Sequence, residues 1–251
     1  MSPTVISIIV LILLIVAILI GRQLRQLIPN KRVSEDTKDT VKLAMGLVAT
    51  MAALLLGLLV SSAKASYDSQ RTQVIQMAAK VAYLNRILTL YGPETMDARK
   101  QFHQAIEDAI RRLWPNDRKL KAELRPNIEA GDSVYFKIEA LSPTTEVQQK
   151  LKALAEAAAS DLAQLRALLV AQSENSISPT MLVVVVSWLV VIFASFSLLA
   201  PPNLTANVAL FISALAVAGA IFLLLELDSP FGGIINIPNR EMMNALNELP
   251  K

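Results

Sequence analysis

The chain has 251 residues, of which 53% are hydrophobic, 18% are charged and 5% are aromatic, with a formal net charge of +3. No basic face is interleaved with aromatic residues, so the composition argues against a nucleic-acid-binding protein. The absence of cysteine excludes disulfides, thiol catalysis and cysteine-based metal sites. The apolar residues are concentrated in uncharged segments, and a helix that spans a bilayer needs about 20 of them. We therefore predict an integral membrane protein whose spans lie at about 5–20, 43–60, 181–199 and 204–225.

The first span is predicted to be an uncleaved anchor rather than a signal peptide. No basic residue precedes it, and it is followed by Gly21 and Arg22 instead of a small-residue cleavage site. The loop 22–42 contains the basic residues Arg22, Arg25, Lys31, Arg32, Lys38 and Lys42. Because basic residues near span ends tend to stay in the cytoplasm, we expect this loop there, and the N-terminus, residues 61–180 and the C-terminal tail outside.

The second span carries a column of small and weakly polar residues at helical spacing. Its members are Ala49, Thr50, Ala53, Gly57 and Ser61, and Lys64 follows at the end of the span. Small residues four apart let helices approach closely in lipid, and Ala214 and Ala218 repeat the pattern in the fourth span. One interpretation is packing within a single subunit. The other is that the second span lines a subunit interface or a pore, with Lys64 at the mouth attracting anions.

Residues 61–180 are predicted to form an all-helical extramembrane stalk domain inserted between spans two and three. Apolar residues recur at helical spacing from 74 to 91, where Gly92-Pro93 ends the helix, and again from 102 to 113. No helix breaker occurs between 38 and 91, so the second span is expected to continue into this region unbroken. A loop at 116–132 and a short helix around 134–141 follow, and Ser142-Pro143 predicts the start of a long amphipathic helix. That helix is expected to pack antiparallel to the outer half of the second one.

Two carboxylates, Glu226 and Asp228, end the fourth span at the membrane boundary. Such a pair can coordinate a cation or form a selectivity ring. The alternative is that the carboxylates solvate the helix end or pair with Lys64 or Lys42. A carboxylate at a helix C-terminus is disfavoured by the helix dipole, which favours a cationic partner.

Nothing in the sequence indicates catalysis. His103 is the single histidine, and it lies on the polar face of a predicted helix. There is no glycine-rich phosphate-binding loop. We therefore expect neither an enzyme, nor a cofactor, nor a bound structural metal.

Four stretches resemble the bestrophin-like family of bacterial membrane proteins of unassigned function. They are residues 46–68, 90–94, 186–203 and 218–235, which read GLVATMAALLLGLLVSSAKASYD, LYGPE, VSWLVVIFASFSLLAPPN and AGAIFLLLELDSPFGGII. The resemblance implies four spans, a bacterial plasma membrane and kinship with pentameric anion channels. The acidic calcium clasp and the phenylalanine-containing pore neck of true bestrophins are absent from this sequence. Bestrophins also keep the middle region and both termini in the cytoplasm, opposite to the orientation that the charge distribution predicts here.

Together these patterns predict an all-α protein divided into residues 1–60, 61–180, 181–225 and a tail at 226–251. The favoured function is a homo-oligomeric, anion-selective ion channel whose partners are the lipid bilayer, further copies of itself and inorganic ions. The alternative is a non-conducting membrane scaffold or sensor whose helical stalk binds a protein partner. A ring-shaped oligomer would favour the first function, because a central pore needs a symmetry axis.

Overall fold

The computed structural model describes residues 2–27, 35–115, 128–174, 178–201 and 203–250, and these residues form eight α-helices. The helices are α1 (Pro3–Leu27), α2 (Glu35–Tyr91), α3 (Met96–Leu113), α4 (Ile128–Glu139), α5 (Glu146–Glu174), α6 (Pro179–Leu199), α7 (Leu204–Leu227) and α8 (Arg240–Asn247). The described residues contain no strand, which confirms the all-α prediction. Parts of the expected loops at 22–42 and 116–132, namely 28–34 and 116–127, lie outside the described residues.

Four helices are long and apolar enough to cross a membrane: α1, α6, α7 and the first part of α2. The chain divides into two compact units. Unit 1 comprises Met1–Ala65 and Ile177–Ser229, and unit 2 comprises Ser66–Ser176 and Pro230–Lys251. The tail expected at 226–251 therefore contributes its residues from Pro230 onward to the helical region.

Unit 1 is built on α1, which contacts α6 and α7. The buried residues of α1 alternate in steps of three and four, as a packed helix face requires: Ser7, Val10, Leu14, Ala17 and Gly21. The Ser197 hydroxyl of α6 donates a hydrogen bond of 2.6 Å to the Ile18 carbonyl of α1. The α6–α7 connection ends at Asn203, whose side chain caps α7 by accepting from the Ala206 amide.

Helix α2 is continuous over 57 residues, which confirms the unbroken helix predicted between 38 and 91. It ends at Tyr91 because Gly92 has φ +136°, a backbone region that favours glycine, and Pro93 begins a short 3₁₀ helix. The Thr95 hydroxyl stabilises this end, since it lies 2.7 Å from the Leu88 carbonyl and 2.8 Å from the Gly92 carbonyl. The predicted stop at Gly92-Pro93 is thus confirmed.

Within unit 2, α5 runs antiparallel to α2. Three side-chain contacts join the helices, between Ser69 and Gln172, between Lys80 and Asp161, and between Gln148 and the Tyr91 carbonyl. Residue numbers rise along α2 as they fall along α5, which confirms the predicted packing. The core between these helices and α3, α4 and α8 is apolar and includes Leu84, Leu88, Phe102, Ile138 and Leu169.

Three sequence expectations for unit 2 differ from the structure. The prediction that Ser142-Pro143 starts α5 was wrong, since the helix begins at Glu146. There the Thr145 hydroxyl accepts from the Gln148 amide at 3.1 Å while the Gln148 side chain accepts from the Thr144 amide, a variant of the capping box. Helix α4 begins at Ile128, inside the expected loop.

The third difference is α8, which was expected to be plain tail. Its residues Met242, Ala245 and Leu246, followed by Leu249, are buried in the core of unit 2. Their spacing of three, four and seven residues is that of an amphipathic helix, and the signal is short because the helix has only 8 residues.

Candidate pore helix

The membrane part of α2 has one buried side. That side contains Ala52, Leu59 and Ala63, each at most 8% exposed. A smaller share of this segment is buried than of the apolar segments of α1, α6 and α7. Most of the circumference of this part of α2 is therefore left uncovered by the described residues.

The predicted column lies on the uncovered part of α2. Thr50, Ala53, Gly57, Ser61 and Lys64 are exposed, and Ala49 is half-buried. At about 100° of rotation per residue, these six positions fall within an arc of about 120°. The helix thus brings the six predicted residues together on one side.

The space around Gly57 shows whether the column packs against another helix of the same chain. A Cβ atom built at Gly57 would meet nothing within 4 Å, and the same holds for Gly46, about three turns earlier on the same side of α2. No close helix approach in the described part of the chain requires a glycine at position 57. By contrast, Ala214 and Ala218 of α7 are 0% and 5% exposed, so that small-residue pattern does pack inside unit 1.

A ridge of large apolar side chains flanks the column. It consists of Leu43, Leu47, Leu54 and Leu58, which are between 65% and 77% exposed. At the same rotation per residue the ridge lies beside the column and away from the buried side. Leucine suits contact with lipid or with a neighbouring helix, whereas the column offers hydroxyls, backbone and a charge.

The polar groups of the column differ in what they offer an ion. The Thr50 hydroxyl lies 2.8 Å from the Gly46 carbonyl and 2.8 Å from the Leu47 carbonyl, so its proton is engaged by its own helix and its oxygen still accepts. Lys64 is exposed at the end of the column and has an interaction partner in the chain. It supplies the one full charge among the six predicted positions.

The boundary carboxylates occupy different environments. Glu226 is 2% exposed, whereas Asp228, at the C-terminal cap of α7, is half-buried. Both have interaction partners in the chain. A buried carboxylate is costly unless it is paired or hydrogen-bonded, so the partner of Glu226 stabilises it in its buried position.

The described residues contain no group of three or more side chains arranged to hold a metal ion. His103 is half-buried on α3 in unit 2, away from the column in sequence and in a different unit.

The chain is similar to known proteins over almost its whole length. Residues 11–242 match the model of the bestrophin-like domain, which is almost the whole chain. The chain belongs to the bestrophin-like family. The family resemblance proposed from the four sequence stretches is thereby confirmed, and the protein is a membrane protein of this family. No protein of curated function is detectably similar in sequence.

Solved structures share the fold of this bestrophin-like protein. A bacterial bestrophin homologue from Klebsiella pneumoniae carrying the mutation W252A is 15% identical, with a TM-score of 0.76 over 99% of this chain and 97% of that one. Another structure of that homologue, solved by Zn-SAD phasing, is 15% identical, with a TM-score of 0.70 over 96% and 95%. A membrane protein with the mutation G264A is 14% identical, with a TM-score of 0.71 over 96% and 95%. The predicted architecture of four membrane helices with a helical region is thus confirmed at the level of the fold.

Proposed function

We propose that this bestrophin-like protein is a homo-oligomeric ion channel in which α2 of each subunit faces the symmetry axis. The observation that supports the proposal is the column of Thr50, Ala53, Gly57, Ser61 and Lys64, which the chain's own helices leave uncovered. A lipid-facing surface needs no hydroxyls, glycine or charge, whereas small residues at an axis leave room for water and ions.

The leucine ridge supports the same orientation of α2. With the column toward the axis, the ridge on the adjacent side of α2 lies against the neighbouring subunit or lipid. Helices associate in membranes through close van der Waals packing, which the small residues of the column and the ridge both permit. Self-association therefore accounts for both uncovered sides of α2.

We propose that the channel prefers anions. Lys64 is the full charge in the column, and a ring of lysines at a pore mouth raises the local anion concentration. The Thr50 hydroxyl donates a hydrogen bond to its own helix backbone, so it offers an ion its oxygen as an acceptor and no donor. Selectivity is accordingly assigned to the Lys64 ring and not to the hydroxyls.

We place the protein in the bacterial plasma membrane with the loop 22–42 in the cytoplasm and residues 61–180 outside, as the distribution of basic residues favours. The family resemblance implies the opposite orientation. Since the chain has no cysteine, a cysteine introduced at exposed Lys100 of α3 and one introduced at exposed Arg22 report the two sides by labelling with a membrane-impermeant maleimide. Labelling of intact cells at position 100 alone would support the charge-based orientation, and labelling at position 22 alone would overturn it.

The test of conduction uses purified protein in liposomes. We expect a defined ring-shaped oligomer and chloride flux, and a folded oligomer that passes no ion would contradict the channel. Lys64→Glu changes the charge by two units and should lower the anion-to-cation permeability ratio by at least about thirty-fold, since roughly 1 kcal/mol per charge in a water-filled mouth gives about 2 kcal/mol. Lys100→Glu makes the same charge change in unit 2 and should leave the ratio unaltered.

A scaffold or sensor is the second candidate, and one observation favours it. Unit 2 leaves large apolar side chains exposed on α2 and α5, including Tyr83 at 47%, Leu90 at 55% and Leu168 at 51%. Exposed apolar patches often mark protein interaction sites. A stoichiometric partner that survives purification in detergent, together with absence of flux, would select this function over the channel.

A further inference from the structure

Unit 2 contains a cavity of about 400 Å³ that the channel function does not use. It lies among α2, α3, α4, α5 and α8, and its walls include Phe102, Ile106, Trp114, Val134 and Leu169. Small-molecule sites typically occupy about 300–1,000 Å³ with mostly apolar walls and few polar groups. The volume and lining therefore fit a small organic molecule.

The polar part of the cavity is dominated by Arg166 of α5. Its guanidinium lies against Gly131 of α4, since a Cβ atom built there would be 3.1 Å from Nη1 and 3.3 Å from Nη2. Gly131 thus leaves the space that the guanidinium occupies, which explains a glycine inside helix α4. Burial lowers the pKa of Arg166, and the negative charge of Asp132 partly opposes that effect.

The donors of Arg166 are available to a ligand. Among the described residues, Arg166 makes no hydrogen bond or close ion pair, and Asp132 acts on it only electrostatically. A guanidinium carries five N–H donors in a planar fork that matches a carboxylate. A half-buried arginine with donors to spare is a natural anion partner.

The other charges of the cavity do not cancel this preference. Its charged residues are Asp108, Arg112, Asp132 and Arg166, which sum to zero. Both aspartates are exposed, whereas both arginines are half-buried. Solvent screens exposed charges more strongly than buried ones, so the cations prevail inside the cavity.

The cavity walls indicate the shape of the apolar part of a ligand that carries an anionic group. Phe102, Trp114 and Tyr135 line the cavity, and each offers a flat apolar surface. Trp114 is held in place because its Nε1 donates to the Ile237 carbonyl at 2.7 Å and its ring packs edge-on against Phe231. Such fixed aromatic walls favour a flat ligand.

We propose that this cavity is a binding site for a small aromatic carboxylate, whose carboxylate pairs with Arg166 and whose ring packs against Phe102 and Trp114. Every described residue that lines the cavity belongs to unit 2, and none of them is a member of the column. Binding there would make the helical region a ligand-responsive part of the protein.

The test is isothermal titration calorimetry on the full chain in detergent, with a detergent-only titration as the blank. The probes are naphthalene-1-acetate and its neutral amide, which share one aromatic body. We expect the acid to bind at least about ten-fold more tightly than the amide. Arg166→Met should remove that preference while leaving binding of the amide unchanged, and Arg166→Lys should retain part of it.

Arg86→Met is the matched control, because it removes an exposed arginine on α2 that does not line the cavity. It should bind both probes as the unaltered chain does. Equal affinity for acid and amide, an acid preference that persists in Arg166→Met, or no binding above the detergent blank would each overturn the proposal. A melting profile of each variant shows whether it is folded, and Arg166→Lys keeps the test valid if Arg166→Met is not.

Discussion

Two glycines in membrane helices of unit 1 serve opposite purposes. At Gly21 of α1, a Cβ atom would collide with the Ala194 carbonyl oxygen of α6 and lie 2.9 Å from the Ser197 Cβ. At Gly57 of α2, a Cβ atom would meet nothing within 4 Å. Gly21 is needed for a helix contact inside the chain, whereas Gly57 is spare within the described residues of one subunit. Small residues that the subunit does not use for itself are those to test for a role in assembly or conduction.

The largest effect that sharpens this comparison is expected from Gly21→Leu. The new side chain would displace the α6 backbone, and overpacking that shifts side chains and backbone typically costs about 1–3 kcal/mol and occasionally more. We therefore expect a loss of at least about 3 kcal/mol, seen as loss of the monodisperse peak in detergent chromatography.

Gly57→Leu is the matched change, and Gly219→Leu is the control on α7, where a Cβ atom also meets nothing within 4 Å. Gly57→Leu should leave a folded subunit but abolish the oligomer or its ion flux. Gly219→Leu should leave both intact. An oligomer that conducts normally with Gly57→Leu would contradict a role of Gly57 in assembly or conduction.

The second effect concerns Glu226, a buried charged residue that contrasts with the exposed Lys64 of the column. Glu226 is 2% exposed and has an interaction partner, so Glu226→Leu leaves that partner unsatisfied at a cost of about 2–3 kcal/mol. Glu226→Gln retains hydrogen bonding and should cost less. Thermal unfolding in detergent measures both, and half-buried Asp228→Asn should shift the melting temperature least.

A third pair compares alanines. Ala214 of α7 is fully buried, whereas Ala53 of α2 is exposed. Ala214→Leu overpacks unit 1 and should lower stability by about 2 kcal/mol. Ala53→Leu should leave the melting temperature of the isolated subunit unchanged and weaken the oligomer. Equal destabilisation of the subunit by both would show that the α2 column packs within the chain after all.

Sequence patterns predicted the helices well where the local signal was strong. The continuous helix α2 and its stop at Gly92-Pro93 follow from the absence of breakers and from the backbone freedom of glycine. The antiparallel α2–α5 packing follows from two long apolar stripes joined by short helices.

The sequence did not predict the contacts between segments that are far apart along the chain. The start of α5 depends on whether Thr145 or Ser142 captures an amide, and both have a suitable hydroxyl. The loop expected at 116–132 includes Gly131, whose place inside α4 depends on a contact with Arg166 of another helix that the local sequence does not reveal. The six column residues share one side of α2 because the helix is continuous there, but periodicity alone does not say whether that side is covered by the same chain.

The smallest effect on subunit stability is expected from Thr50→Val. This change removes one oxygen atom, and it distinguishes a role of Thr50 in helix packing from a role in conduction. The Thr50 hydroxyl bonds to its own helix backbone, so removing it should change subunit stability by less than about 0.5 kcal/mol. If the column faces water at an axis, however, the loss of one acceptor oxygen per subunit makes the ring more apolar at that level, and the flux should fall while the oligomer remains intact. Ser213→Ala on α7 is the control, since that hydroxyl also bonds to its own helix, at 2.9 Å from the Ala209 carbonyl. Flux reduced by Thr50→Val and unchanged by Ser213→Ala would place water along α2, whereas equal flux in both would assign the column to a dry contact between subunits.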